Sequence, residues 1–168
     1  MKQNIFLSLG SNLGDRESNI AQATMALSIN LSIREIKSSS YYESEPLYNI
    51  DQPKFLNSVV CCLSDLDPFE FLDVTRRIEQ MLGRPKKREK NLPRIIDIDI
   101  LFYGDSVIET DNLVLPHPMI SLRKFVLIPF FEIAPDYQIP HTEFFIKDLL
   151  DNCPDGSNVV KHILGTQA

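Results

Sequence analysis

The stretch Pro93-Arg94-Ile95-Ile96-Asp97-Ile98-Asp99-Ile100-Leu101-Phe102-Tyr103-Gly104 constrains this chain more than any other part of it. Its β-branched and aromatic residues favour a strand that ends at the Gly104-Asp105 turn. The period of two then puts Ile96, Ile98 and Ile100 on one face and Asp97 and Asp99 on the other. Carboxylates spaced i, i+2 on a strand have Cα atoms roughly 6.5 Å apart. Two acids therefore share a narrow space on an otherwise apolar strand, where they are poor strand formers unless they bind something. Hard cations such as Mg²⁺ take a few carboxylate oxygens and complete their shell with phosphate oxygens, so the pair predicts a metal site for a phosphorylated ligand.

The elements around this strand set a fold class. Asn4 to Leu9 reads as a buried strand, followed by the Gly10-Ser11-Asn12-Leu13-Gly14-Asp15 turn and a helical pattern through Ile20, Ala23 and Leu27. Ile33 to Glu43 is β-rich, and Phe55 to Leu63 is another strand. A polar loop with Pro46 and Pro53 separates them. Asp67-Pro68-Phe69-Glu70 combines an N-cap, a proline at the first helical position and a capping-box glutamate, and Gly83 supplies the stop. The order β-α-β-β-α-β predicts an α+β domain, ferredoxin-like, with an antiparallel sheet and both helices on one face. C-terminal additions follow: a hairpin over 105–115, a helix over 121–133 interrupted at Pro129, and a short helix over 146–150. One domain over residues 1–168 is expected, since this length suffices for a single core.

Composition narrows the function classes. The hydrophobic share of 43% and charged share of 24% describe a globular chain. The first residues carry no secretion pattern and no segment approaches the ~20 apolar residues of a membrane span, so a cytoplasmic location is expected. Cys61, Cys62 and Cys153 have no CxxC spacing and read as reduced, buried thiols; the three histidines have no zinc-ligand spacing. Within a chain of net charge −6, the segment 84–94 gathers Arg84, Lys86, Lys87, Arg88, Lys90 and Arg94 against Glu89 alone. Such a focused basic segment argues against general nucleic-acid binding and for a small, highly charged anion. It has the composition of a mobile loop able to close over a ligand, and beside Asp97 and Asp99 it suits a triphosphate shared between cations and guanidinium groups. The glycines at 10 and 14 match neither GxGxxG nor a P-loop and read as turn residues. Pro116-His117-Pro118 holds an imidazole between two rigid residues, and Phe125, Phe130 and Phe131 are core aromatics unless one faces a cleft and stacks on a planar ring.

Seven matches in order make the chain similar to the 6-hydroxymethyl-7,8-dihydropterin pyrophosphokinase family. They are Leu9 to Leu13, Tyr42 to Leu47, Gln52 to Asn57, Ile78-Glu79 with Gly83-Arg84, Pro93 to Leu101, Leu115 to Pro118, and Arg123 with Phe125. The resemblance implies transfer of the terminal diphosphate of ATP to the hydroxymethyl group of the pterin, giving AMP, in folate synthesis. It implies two Mg²⁺ ions on Asp97 and Asp99 and catalytic roles for these and for Arg84 and Arg94. It puts Glu79, Lys86, Arg94, Ile100, His117 and Arg123 around ATP, and Ser44, Glu45, Leu47, Phe55, Asn57, Asp97 and Phe125 around the pterin. A monomer that binds neither nucleic acid nor membrane is expected.

The chain departs from the family pattern in three places. It has no tryptophan and shows Asn91 where an aromatic often stands in the loop, Phe55 where Tyr is common, and Lys86 in place of Arg. No activated protein nucleophile is visible, which fits direct attack by the substrate hydroxyl on phosphorus with catalysis by positioning and charge neutralisation. The same Asp pair would serve a metal-dependent phosphohydrolase. A ferredoxin-like RNA-binding or regulatory module would instead carry basic and aromatic residues on the sheet face.

Overall fold

The computed structural model describes residues 1–87 and 90–165. Arg88 and Glu89 of the basic segment, and with them part of the expected closing loop, lie outside the described residues. The chain begins with strand β1 (Gln3–Ser11), helix α1 (Arg16–Ser28), and strands β2 (Ile33–Ser38), β3 (Tyr42–Ser44) and β4 (Phe55–Ser64). Helix α2 (Pro68–Met81) and strand β5 (Asp97–Tyr103) follow. A small hairpin, β6 (Ile108–Glu109) with β7 (Val114–Leu115), then leads through a 3-10 turn at Ile120–Leu122 into helix α3 (Lys124–Ile133), helix α4 (Ile146–Asp151) and strand β8 (Val159–Lys161).

Local chemistry explains where these elements start and stop. Asp67 Oδ1 accepts from the amides of Phe69 (2.8 Å) and Glu70 (3.0 Å), and Glu70 answers by accepting from the Asp67 amide (3.1 Å), which completes the capping box. The chain leaves α2 through Gly83 at φ +101°, a conformation that a side chain strains. The expected break of α3 at Pro129 does not occur: the helix is continuous. Proline there removes one backbone bond, while Val126, Leu127, Phe130 and Ile133 bury the helix against the sheet and hold it together. The single β-rich segment expected over 33–43 is two strands, with an irregular register in β2 between Arg34 and Lys37 where Glu35 adopts φ +54°. Strand β8, three residues at the sheet edge, had no sequence signal long enough to reveal it.

Among the described residues the main sheet has six strands in the order β5-β1-β4-β3-β8, with β2 also paired to β4, and every pairing is antiparallel. Helices α1 and α2 cover one face, where Ile20, Ala23, Leu27, Phe71 and Ile78 meet Ile5, Leu7, Leu9, Leu56, Val60 and Ile100 in one apolar cluster. Helices α3 and α4 cover only part of the other face, over Phe6, Val59, Leu101 and Phe102. The register explains the division. Phe6 faces Phe102 and Leu7 faces Ile100, so Leu101 is an extra residue, and this bulge sends Leu101 and Phe102 together into the α3 cluster. No helix of the described residues is long and apolar enough to cross a membrane. Cys62 is buried and its thiol is pushed up to about 12 by that burial, whereas Cys61 and Cys153 are half-buried rather than sealed.

Candidate active site

The uncovered part of the second face is a cleft of about 320 Å³. Its floor follows from strand parity. Asp97 and Asp99 on β5 lie opposite Gly10 and Ser8 on β1, Gly10 lies opposite Asn57 on β4, and Asn57 lies opposite Tyr42 on β3. One wall is Ser44, Glu45 and Leu47; the other is Arg123 and Phe125, at the start of α3. Phe55 and Arg94 complete it, with the guanidinium carbon of Arg94 5.7 Å from the centre of the Phe55 ring.

The acidic end is dense in charge. Asp97 accepts from Arg84 through a very short hydrogen bond and from Arg94 Nη1 at 2.7 Å. Arg84 Nη1 also donates to Glu79 (2.7 Å) and to the Ile96 carbonyl (3.1 Å). Asp99 is less well compensated, with Arg123 Nη1 at 3.6 Å and His117 Nε2 at 3.9 Å. Burial first, and then the neighbouring Asp97, raises the Asp99 carboxyl well above the ordinary carboxylate range. His117 is pushed down to about 4 by burial and by Arg123, so its ring is neutral near pH 7. Its Nδ1 accepts from the Met119 amide (3.1 Å), which leaves the proton on Nε2, directed toward Asp99.

The pterin-side residues expected from the sequence gather at the opposite end. Asn57 is 2% exposed and donates both amide hydrogens within the protein, to the Tyr42 carbonyl (3.1 Å) and to Ser44 Oγ (2.8 Å). Its Oδ1 is thereby left as an acceptor directed at Gly10, where a Cβ would lie 3.5 Å away. Gly10 is thus a strand residue in the cleft floor, not the turn residue expected; Gly14, at φ +71°, is the turn glycine. The Glu45 carboxylate turns to Lys54 at 3.1 Å.

Two of the residues expected around the nucleotide, Glu79 and Ile100, have buried side chains. Glu79 is 2% exposed, and its carboxylate serves Arg84 and the Ile98 amide (2.8 Å), so it braces Arg84 from beneath. The Ile100 side chain is in the α1/α2 core, because it shares the parity of Ile98. Lys86 borders a second hollow of about 440 Å³ next to the cleft, with Arg76, Glu79, Gln80 and Arg84.

Ser8 and Tyr48 line the cleft without a role expected from the sequence, while Gln52 of a matched segment and Lys90 and Asn91 of the expected closing loop join them there. Counting strand parity across the register finds Ser8 and Gly10; Tyr48 carries no local signal. Asn91, at the position of the missing aromatic, borders the cleft in a left-handed conformation (φ +62°) that asparagine tolerates. Asn12, 2% exposed, ties three loops together. Its amide donates to Gln52 Oε1 (3.0 Å) and the Pro53 carbonyl (3.1 Å), and its oxygen accepts from the Arg94 amide (2.8 Å).

Residues 6–135 match the family described as 7,8-dihydro-6-hydroxymethylpterin-pyrophosphokinase. The chain is 42% identical over 129 residues to the 2-amino-4-hydroxy-6-hydroxymethyldihydropteridine pyrophosphokinase of Bacillus subtilis, covering 77% of each chain. It is 40% identical over 151 residues to a folic acid synthesis protein of Pneumocystis carinii, covering 90% of this chain and 20% of that one. It therefore spans about a fifth of the length of that larger relative. Among solved structures, an HPPK-DHPS structure of Plasmodium falciparum shares the fold at TM-score 0.71 and 17% identity, over 90% of this chain and 45% of the other. The chain belongs to the 7,8-dihydro-6-hydroxymethylpterin-pyrophosphokinase family.

Proposed function

We propose that this protein transfers the terminal diphosphate of ATP to the hydroxymethyl group of 6-hydroxymethyl-7,8-dihydropterin, giving AMP and the pterin diphosphate, in folate synthesis. The observation that carries this is the continuity of one cleft. A slot between Phe55 and Phe125, edged by the fixed acceptor of Asn57, runs directly into the Asp97–Asp99 face with its arginines. A flat ring with polar edges needs apolar cover on its faces and hydrogen bonds of set geometry at its rim. A triphosphate needs cations.

In this scheme Phe55, Phe125 and Leu47 cover the pterin, while Asn57 and the backbone near Ser44 read its edge. This brings its hydroxymethyl group to the acidic end. Arg84, Arg94 and Arg123 are the guanidinium donors for phosphate oxygens, and Lys86 and the hollow it borders extend the nucleotide side. His117, neutral with its proton on Nε2, donates a hydrogen bond to a phosphate oxygen without adding charge. Asp97 and Asp99 are oxygen donors suited to Mg²⁺, and the under-compensated Asp99 is a carboxylate that a cation would relieve. Two such ions, when bound, would neutralise the phosphates and polarise the β-phosphorus toward attack. The protein supplies orientation and charge complementarity, with the substrate oxygen as nucleophile.

We read the antiparallel order β5-β1-β4-β2 as the ferredoxin-like split βαβ. We take the chain to act as one domain and a monomer in the cytoplasm. Incubation with ATP, Mg²⁺ and the hydroxymethylpterin, with products separated by chromatography, tests the activity. AMP formed in step with the pterin diphosphate is expected. ADP, or phosphate released without the pterin, would replace this reading with a kinase or a phosphohydrolase.

A further inference from the structure

Helix α3 brings Arg123 and Phe125 to one wall of the cleft, yet Arg123, its N-cap residue, makes no side-chain cap bond. A cation at a helix N-terminus also opposes the helix dipole. Both deficits are met from 31 residues away. Asp155 Oδ2 accepts from the Lys124 amide (3.1 Å) and its Oδ1 accepts from the Ser157 amide (2.9 Å). Lys124 Nζ in turn donates to the Ser157 carbonyl (3.3 Å).

The chain then runs on to the opposite wall. Val159, Val160 and Lys161 of β8 pair with Ser44, Glu43 and Tyr42 of β3, and the His162 amide donates to the Tyr41 carbonyl (2.8 Å). Beyond it Glu17, on α1, holds the segment by accepting from His162 Nε2 (2.7 Å) and the Gly165 amide (3.1 Å). At its other end α3 is tied to the same region through Glu132, which accepts from the Ser40 amide (2.8 Å). The end of α3 that carries Arg123 and Phe125 is thus joined to β3 through residues 155–162.

We propose that residues 155–162, which lie beyond the matched family region, form a strap that sets the spacing of the pterin slot, with Asp155 as a positioning residue. The strap joins Phe125 on one wall to Ser44 on the other, and Ser44 in turn orients Asn57. The proposal rests on the pterin reading of the cleft.

Calorimetric titration of the full chain with pterin and, separately, with ATP tests it in Asp155→Ala and Asp155→Asn. Loss of one cap-type bond predicts that Asp155→Ala raises the pterin Kd about fivefold and leaves the ATP Kd within about twofold. Asp155→Asn keeps an oxygen acceptor for the Lys124 amide and restores most of the pterin affinity. An unchanged pterin Kd in a variant that only melts earlier overturns the strap, as does an equal loss for both ligands without rescue by asparagine. If Asp155→Ala does not fold, Glu17→Ala at the half-buried far end asks the same question: a rise of about twofold in pterin Kd supports the strap, and no change rejects it. A wild-type chain that binds pterin and forms no AMP overturns the activity alone; one that binds no pterin overturns both.

Discussion

The two faces of the central sheet are made by alternate residues of the same strands, and they do opposite things. On the α1/α2 face, Ile5, Leu7 and Leu9 continue across to Leu56, Val60, Ile98 and Ile100 in one apolar cluster, with Ser58 buried among them opposite Leu9. On the other face Phe6 is buried under α3, and two and four residues on, Ser8 and Gly10 form the floor of a charged cleft. Strand β5 repeats the change, from Leu101 and Phe102 under α3 to the half-buried Asp99 and Asp97 in the cleft. A face sealed along its whole length earns stability from apolar burial. A face covered over only part of its length keeps a rigid floor, on which polar side chains can be held at fixed spacing toward a ligand.

The largest effect that separates the faces is expected at Asp99. Replacement by asparagine should lower turnover about 10³-fold or more, roughly 4 kcal/mol in the barrier, because phosphate charge loses a cation ligand. The melting temperature should hold or rise, since the change removes a carboxylate crowded by Asp97. Turnover within tenfold of wild type, measured as AMP release at saturating Mg²⁺, would take the metal role away from this residue.

Phe71 on the sealed face should behave in the reverse manner. Its ring is fully buried and meets Tyr103 edge-on at 5.7 Å, so Phe71→Ala should lose roughly 3–5 kcal/mol of stability. The pterin and ATP affinities of the molecules still folded should stay as they were. Denaturant unfolding combined with titration checks both halves, and a changed ligand affinity would show that the faces are not independent.

A smaller and more selective effect belongs to Phe125. Phe125→Ala should weaken pterin binding by roughly 1–3 kcal/mol, the scale of lost aromatic cover, with ATP binding little altered. An equal loss for the two ligands would make Phe125 a packing residue of α3.

The smallest effect should change sign between the two properties. A Cβ at Gly10 would meet Asn57 Oδ1 at 3.5 Å and the Phe55 ring at 3.9 Å, which is ordinary contact, so the fold accepts Gly10→Ala. Lower entropy of the unfolded chain should add about 0.5 kcal/mol of stability, while the methyl in the slot floor should weaken pterin binding by about 1 kcal/mol. Melting and titration of the same sample would show both signs. Loss of stability would mean that the strand has no room there.

What could be read locally was read well. The capping box of α2 depends on residues three apart and is formed as expected. The facing of Asp97 and Asp99 depends on strand period and nothing else. Local pattern leaves open what becomes of a residue whose neighbours come from distant chain. Glu79 sits in the last turn of α2, where a carboxylate is ordinarily exposed, and only the approach of Arg84 and the Ile98 amide turns it inward. Gly10 reads as a turn glycine until the length of β1 is known, because glycine carries no periodic signal of its own. Pro129 reads as a helix break, since its isolated penalty is local while the burial that outweighs it comes from β1, β4 and β5.

Local pattern alone thus sufficed for β1, β4, β5, α1 and α2, for the common face of the two aspartates, and for the motifs that place the chain in its family, because periodicity, caps and turn residues act over a few positions. Only the tertiary structure decided which wall each side chain joins and which carboxylates are already taken by arginines. It also decided that the last strand crosses from α3 to β3. Those outcomes depend on the strand register and on contacts between residues such as Lys124 and Asp155, or Glu17 and His162, which no local pattern connects.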